Sequence, residues 1–139
     1  MQYKNGKGDA DAVVMIGGLD HVNIETLDLE SSVQFYTQVL GLKVGWRPSF
    51  DVPGAWLYVG EQPIVHLVVR ETINQGPTGA IHHVALTASD LDATTKRLKE
   101  AGVDYRKTVV PDLAVTQLFV TDPNGVMLEL NFYADTVET

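Results

Sequence analysis

At 139 residues the chain is long enough for one domain with a sizeable hydrophobic core, and its 45% apolar and 20% charged content is that of an ordinary globular protein. A formal charge of −8 leaves no basic surface for a phosphate backbone and excludes nucleic acid as a partner. With no cysteine, no apolar run of ~20 residues to cross a membrane and no secretory apolar core in the polar stretch before residue 12, disulfides, thiol chemistry and a membrane partner are excluded, and a cytoplasmic protein is expected.

Residues 1–15 lack periodicity and read as a flexible arm; a single domain is expected over 16–135, with a loosely held tail at 134–139. Residues 16–25 alternate as a strand, with Val22 and Ile24 on one face and His21, Asn23 and Glu25 on the other. Asp28 has the chemistry of a helix N-cap and Glu30 complements the first turn. The helix is expected to run to about residue 40, burying Val33, Tyr36, Val39 and Leu40, and to end at Gly41. Strands follow at 43–48, 55–59 and 64–70, the last with Ile64, His66 and Val68 on one face. A polar stretch punctuated by Gly and Pro, with its linker at 73–80, separates this first module (16–72) from a second (81–133).

The second module repeats the first. HVNIETLDLE at 21–30 and HVALTASDLD at 83–92 align at a constant offset of 62 residues, His21 over His83 and Asp28 over Asp90. A strand at 81–88, a helix from the Asp90 cap to about residue 101, and strands at 104–109, 116–121 and 126–132 complete the plan, with Asp122-Pro123-Asn124-Gly125 as a turn. Each module is thus βαβββ. The expected fold is α+β: two modules forming an eight-stranded, cup-shaped mixed sheet with its helices outside.

The polar strand faces cannot turn into an apolar core without partners, so they face water, a cavity or an ion. The first and last strands of each module place His21 and His66 at a spacing of 45 residues, and His83 and Glu129 at 46. If the modules pair about a pseudo-twofold axis, these four side chains converge. Three imidazoles and a carboxylate suit one divalent zinc, iron, nickel, cobalt or manganese ion. Glu129 doubles as the candidate catalytic proton-transfer group. His82, on the face of Val84, reads as a packing or interface residue. Asn23, Thr87 and Asn131 are candidates to position substrate oxygens, and Trp46, Arg47, Trp56, Tyr58 and Arg70 to line the cup or its mouth.

The duplicated unit, the DHVNIETLDLESSVQFYTQVLGL opening, GAWLYVG followed by EQPIVHLV, and DPNGVMLELNFY together resemble the vicinal oxygen chelate superfamily, from residue 16 to 133. That group includes glyoxalase I, fosfomycin and bleomycin resistance proteins, methylmalonyl-CoA epimerase and extradiol dioxygenases. The resemblance implies a divalent metal inside the cup, a small-molecule substrate and a homodimer, and carries metal binding onto His21, His83 and Glu129. His66 stands where glyoxalase I offers Glu or Gln. Glu129 is then the sole inner carboxylate and would serve as both ligand and base. The leading expectation is a metal-dependent lyase or isomerase acting on a substrate with neighbouring oxygens. A non-catalytic, resistance-type binding protein and a single-domain extradiol dioxygenase are the alternatives.

Overall fold

The computed structural model describes residues 15–134, so the expected arm and tail lie outside the described residues except for Met15 and Ala134. Its eight strands divide into two four-stranded mixed sheets of matching topology. In the first, β1 (Val22–Thr26), β2 (Lys43–Gly45), β3 (Gly54–Val59) and β4 (Gln62–Val69) lie in the order β1-β4-β3-β2. In the second, β5 (Val84–Thr87), β6 (Arg106–Val110), β7 (Val115–Thr121) and β8 (Met127–Tyr133) lie in the order β5-β8-β7-β6. Each module's first strand runs parallel to its last, and the remaining pairs are antiparallel. This is the α+β architecture of two βαβββ modules that the repeat implies.

The duplication extends to the register. Asn23 faces His66 across the β1–β4 ladder, and Ala85, 62 residues after Asn23, faces Glu129 across the β5–β8 ladder. Both opening strands are shorter than their alternation suggests. Pairing starts at Val22↔Val65 and Val84↔Leu128, leaving residues 15–21 exposed and His21 and His83 one step before the ladders begin. Alternation marks which residues share a face, but a strand needs a partner backbone, and the earlier residues have none.

The helices begin where their caps lie. Asp28 accepts from Ser31 N at 3.2 Å and starts α1 (Leu29–Gln34); Asp90, at φ +62°, accepts from Ala93 N at 3.0 Å and starts α2 (Leu91–Glu100). α1 continues as a π-helical turn over Phe35–Val39, where Leu40 N donates to Phe35 O at 3.2 Å. That turn buries the adjacent Phe35 and Tyr36 together. A regular 3.6-residue stripe predicts Tyr36 but not Phe35. Gly41 and Gly102 end the two helices at φ +83° and +68°, a left-handed conformation open to glycine.

One core spans both halves. Ile24, Tyr36, Leu57, Val65 and Leu67 join Leu98, Leu118, Leu128 and Leu130 in a single buried cluster. A buried polar clasp reinforces it. Tyr36 Oη donates to Asp122 Oδ2 at 2.7 Å, and Asn124 Nδ2 donates to Ser32 Oγ at 2.9 Å, so the Asp-Pro-Asn-Gly turn of the second half is tied to the helix of the first. Burial, then the Asp122 charge and hydrogen bond, push the Tyr36 hydroxyl well above its usual range, so it stays a neutral donor. No helix among the described residues is long and apolar enough to cross a membrane.

Candidate functional site

The four sequence-predicted donors form two pairs, one on each sheet. On the first, the His21 and His66 rings stack at a centroid distance of 3.7 Å and an interplanar angle of 13°. Trp56, opposite His66 in the β3–β4 ladder, stacks on the other face of His66 at 4.0 Å and 11°. The imidazole of His66 is therefore sandwiched and only 9% exposed. Burial, reinforced by repulsion from His21, holds its imidazolium below the usual histidine range, against the pull of the Pro63 carbonyl and Asp20. The ring is neutral at pH 7, the form that binds metals.

Local contacts assign the ring nitrogens. His66 Nε2 lies 3.0 Å from Pro63 O, and His21 Nδ1 lies 2.6 Å from Asp20 Oδ1. If each of these nitrogens carries the proton, His66 Nδ1 and His21 Nε2 keep their lone pairs. A carboxylate on the far nitrogen of an imidazole is the usual way a ligand ring is oriented.

On the second sheet, His83 Nε2 lies 3.6 Å from Glu129 Oε1. The Glu129 side chain is 13% exposed, and its other oxygen accepts from Asn131 Nδ2 at 3.0 Å. Asn131 Oδ1 accepts from Gln117 Nε2 at 3.1 Å, and Gln117 Oε1 accepts from Thr108 Oγ1 at 3.1 Å. This chain crosses β6, β7 and β8, with every donor pointing towards the carboxylate. Sequence reasoning placed Asn131 but missed Gln117 and Thr108. The signal was present in β7, where Gln117 and Phe119 alternate with the buried Leu118 and Val120. His82 is exposed rather than packed in the core, with Nδ1 2.9 Å from His83 Nδ1.

The donor types suit a divalent ion; their grouping within one copy of the chain does not. Among the described residues no three His, Asp or Glu side chains are gathered as the ligands of one ion. His21 with His66, and His83 with Glu129, are two half-sets.

Of the residues expected around the cup, Asn23, Arg47, Trp56 and Arg70 line a cavity of about 320 Å³ beside His66. Phe50, not anticipated from the sequence, lines it too. Tyr58 is taken up structurally: its hydroxyl donates to Trp46 O at 2.6 Å.

Known proteins resemble this chain in sequence or in fold. The chain is 30% identical over 132 residues to "Glyoxylase I 4" of Arabidopsis thaliana, covering 89% of this chain and 75% of that one. It is 30% identical over 131 residues to an ethylmalonyl-CoA/methylmalonyl-CoA epimerase of Cereibacter sphaeroides, covering 84% and 98%. A solved glyoxylase/bleomycin resistance protein/dioxygenase domain from Frankia sp. EAN1pec superposes with a TM-score of 0.71 at 20% identity, covering 86% of this chain and 99% of that one. The family model described as Glyoxalase/Bleomycin resistance protein/Dioxygenase superfamily matches residues 18–130, both βαβββ halves, and the chain belongs to that superfamily.

Proposed function

We propose that the chain is an enzyme of lyase or isomerase type acting on a small molecule with two neighbouring oxygens. Glu129 is its proton-transfer group, and His21, His66, His83 and Glu129 are its donor set for one divalent cation. The observation that carries this reading is the setting of Glu129. Asn131 fixes Oε2 while Oε1 is left towards His83, in a largely shielded place. A carboxylate held by one oxygen and free at the other can accept a proton from a carbon next to a carbonyl and return it at a neighbouring atom. The relatives named as a glyoxylase and an epimerase support the same class. A bound divalent cation would supply polarisation of a substrate oxygen.

The half-sets point to a homodimer. Facing the first sheet of one copy to the second sheet of another would bring two imidazoles to an imidazole and a carboxylate. Asp20 and the Pro63 carbonyl would keep the first two rings in register, and Asn131 the carboxylate.

The test is a divalent-metal titration followed by turnover assays with 2-oxoaldehyde–thiol adducts, epoxide antibiotics and catechols. Uptake of about one ion per chain and turnover lost in Glu129→Gln are expected. No metal uptake would overturn the donor set. It would favour binding without chemistry, a reading supported by the separation of the donors within one copy. Iron(II)-dependent oxygen consumption with a catechol would select ring cleavage instead.

A further inference from the structure

The inner face of the first sheet carries an assembly that the four donors do not explain. Beyond the His21–His66–Trp56 stack, Trp46 meets Trp56 edge-on at 6.2 Å, and Phe50 lies 6.3 Å from Trp56. Trp46 is 72% exposed and Phe50 54% exposed. Large aromatic side chains left in water beside one another forgo the burial that normally stabilises them. Phe50 and Trp56 line the 320 Å³ cavity with His66, and Trp46 packs against Trp56 outside that lining; the volume is within the usual range for small-ligand sites.

The charge of this cavity is opposite to that of the protein. The chain carries a net −8, yet two of its four arginines, Arg47 and Arg70, line the cavity, and among the described residues no carboxylate does. Arg47 is built in. Its Nη2 donates to Val52 O at 2.9 Å, and its guanidinium lies 4.9 Å from the Phe50 ring centroid. Gly54 is required first by the Leu67 carbonyl, which a Cβ there would strike, and the same missing Cβ leaves space for the guanidinium. Arg47 Nε is buried without a hydrogen-bond partner among the described residues, which leave the positive guanidinium largely uncompensated. Arg70, at the rim, is held loosely, with Nη1 donating to Val69 O at 3.4 Å and Nε 3.7 Å from Glu25 Oε2.

We propose that this cavity is a subsite for a small aromatic or conjugated acid, its ring against Phe50 and Trp56 and its carboxylate at Arg47 and Arg70. The arginine fork matches a planar carboxylate, and the aromatic rings match a flat apolar body. Taken with the proposed function, it gives the substrate class: an anionic molecule with a planar end, held on the first half while Glu129 acts from the second. It rests on that reading only for the chemistry that follows; binding itself needs no metal.

The chain's two tryptophans are Trp46 and Trp56, which pack together, so fluorescence excited selectively at tryptophan reports on this side of the first sheet. The full-length protein is titrated with 3-phenylpropanoate, its neutral counterpart 3-phenylpropan-1-ol, and propanoate. Saturable quenching by the aromatic acid is expected at concentrations about tenfold below those needed for the other two. Arg47→Gln should erase the preference for the acid over the alcohol. Arg70→Gln, on the exposed rim, should reduce it and serves as the variant if Arg47→Gln does not fold. Equal affinity for acid and alcohol, a preference unchanged in these variants, or fluorescence that responds only to protein concentration would overturn the proposal, the last in favour of a contact between copies. A parallel metal titration separates the two readings. Metal uptake without acid selectivity sinks only the subsite, and acid selectivity without metal uptake sinks only the metal-dependent enzyme.

Discussion

His66 and Glu129 stand on the same rung of two duplicate sheets, yet their neighbours differ in kind. His66 lies between Asn23 and Trp56 in its sheet, and aromatic rings cover both faces of its imidazole. Glu129 lies between Ala85 and Phe119, and a file of amides and a hydroxyl from Thr108 through Gln117 and Asn131 directs its donors at the carboxylate. The backbone ladder depends on no particular side chain, so duplication preserves it. The inner faces owe nothing to the core and are free to diverge. One half has become a surface for flat, apolar matter and neutral imidazole, the other a setting for a negative charge.

The sharpest way to break this comparison is to change one rung at a time. Glu129→Gln keeps size and burial but removes the charge and the proton acceptor. Turnover should fall by about 10²–10⁴-fold, the usual worth of a positioned acid–base group, with little change in melting temperature. His66→Gln on the equivalent rung should weaken metal uptake while sparing more of kcat. Equal losses of kcat would mean that the halves are chemically alike. A second experiment asks whether the halves work across copies. His21→Ala/His66→Ala and His83→Ala/Glu129→Gln should each be inactive. Mixed by co-refolding into a symmetric dimer, they regenerate one intact site in half of the dimers, or about a quarter of wild-type activity. If the four donors acted within one chain, the mixture would stay inactive.

Much of this arrangement can be read from residues 21–30 and 83–92. The repeated His-Val-x-[Ile/Leu] and Asp-Leu pattern identifies the modules and both helix caps, because period and capping are local properties. The buried Phe35 is not legible, since a π-helical turn resets the phase of the helix without a sequence mark. Nor is the division of the donors into pairs. Shared faces follow from alternation, but the distance between two sheets depends on how the core packs them. Gln117 and Thr108 were missed for a related reason: their role exists only once three strands lie side by side.

The clasp between the halves gives a smaller effect. In Tyr36→Phe the core keeps its ring, but Asp122 Oδ2 loses a buried 2.7 Å donor and is left with Asn124 Nδ2 at 3.4 Å, while Asn124 N and Val126 N stay on the other oxygen. A loss of about 1–3 kcal/mol in unfolding free energy is expected by urea denaturation. Because a single core crosses both halves, unfolding should remain one transition. Two separate transitions would show that the halves are independent units joined chiefly by the clasp. Adding Asp122→Asn should cost less in the Tyr36→Phe background than alone, since both changes remove the same contact.

The smallest effect isolates the first half. Burial, with His21 beside it, lowers the His66 pKa, so folding favours the neutral ring. Above the unfolded-chain value of about 6.5 both states are neutral, and the contribution of this group to stability is fully present. As pH falls below that value the unfolded chain takes up the proton first, and stability is lost until the folded ring titrates too. His66→Phe keeps an aromatic ring between Trp56 and His21 but removes the titration. In metal-chelated protein its melting temperature should therefore fall less between pH 7 and pH 5 than that of the wild type. No titration from the His66 position survives in the variant, so the difference reports on His66 together with its coupling to the stacked His21. Identical slopes would mean that His66 gives up its proton no more readily folded than unfolded. The stack on the first sheet would then not enforce a neutral imidazole, and the contrast with the charge-holding second sheet would lose its first term.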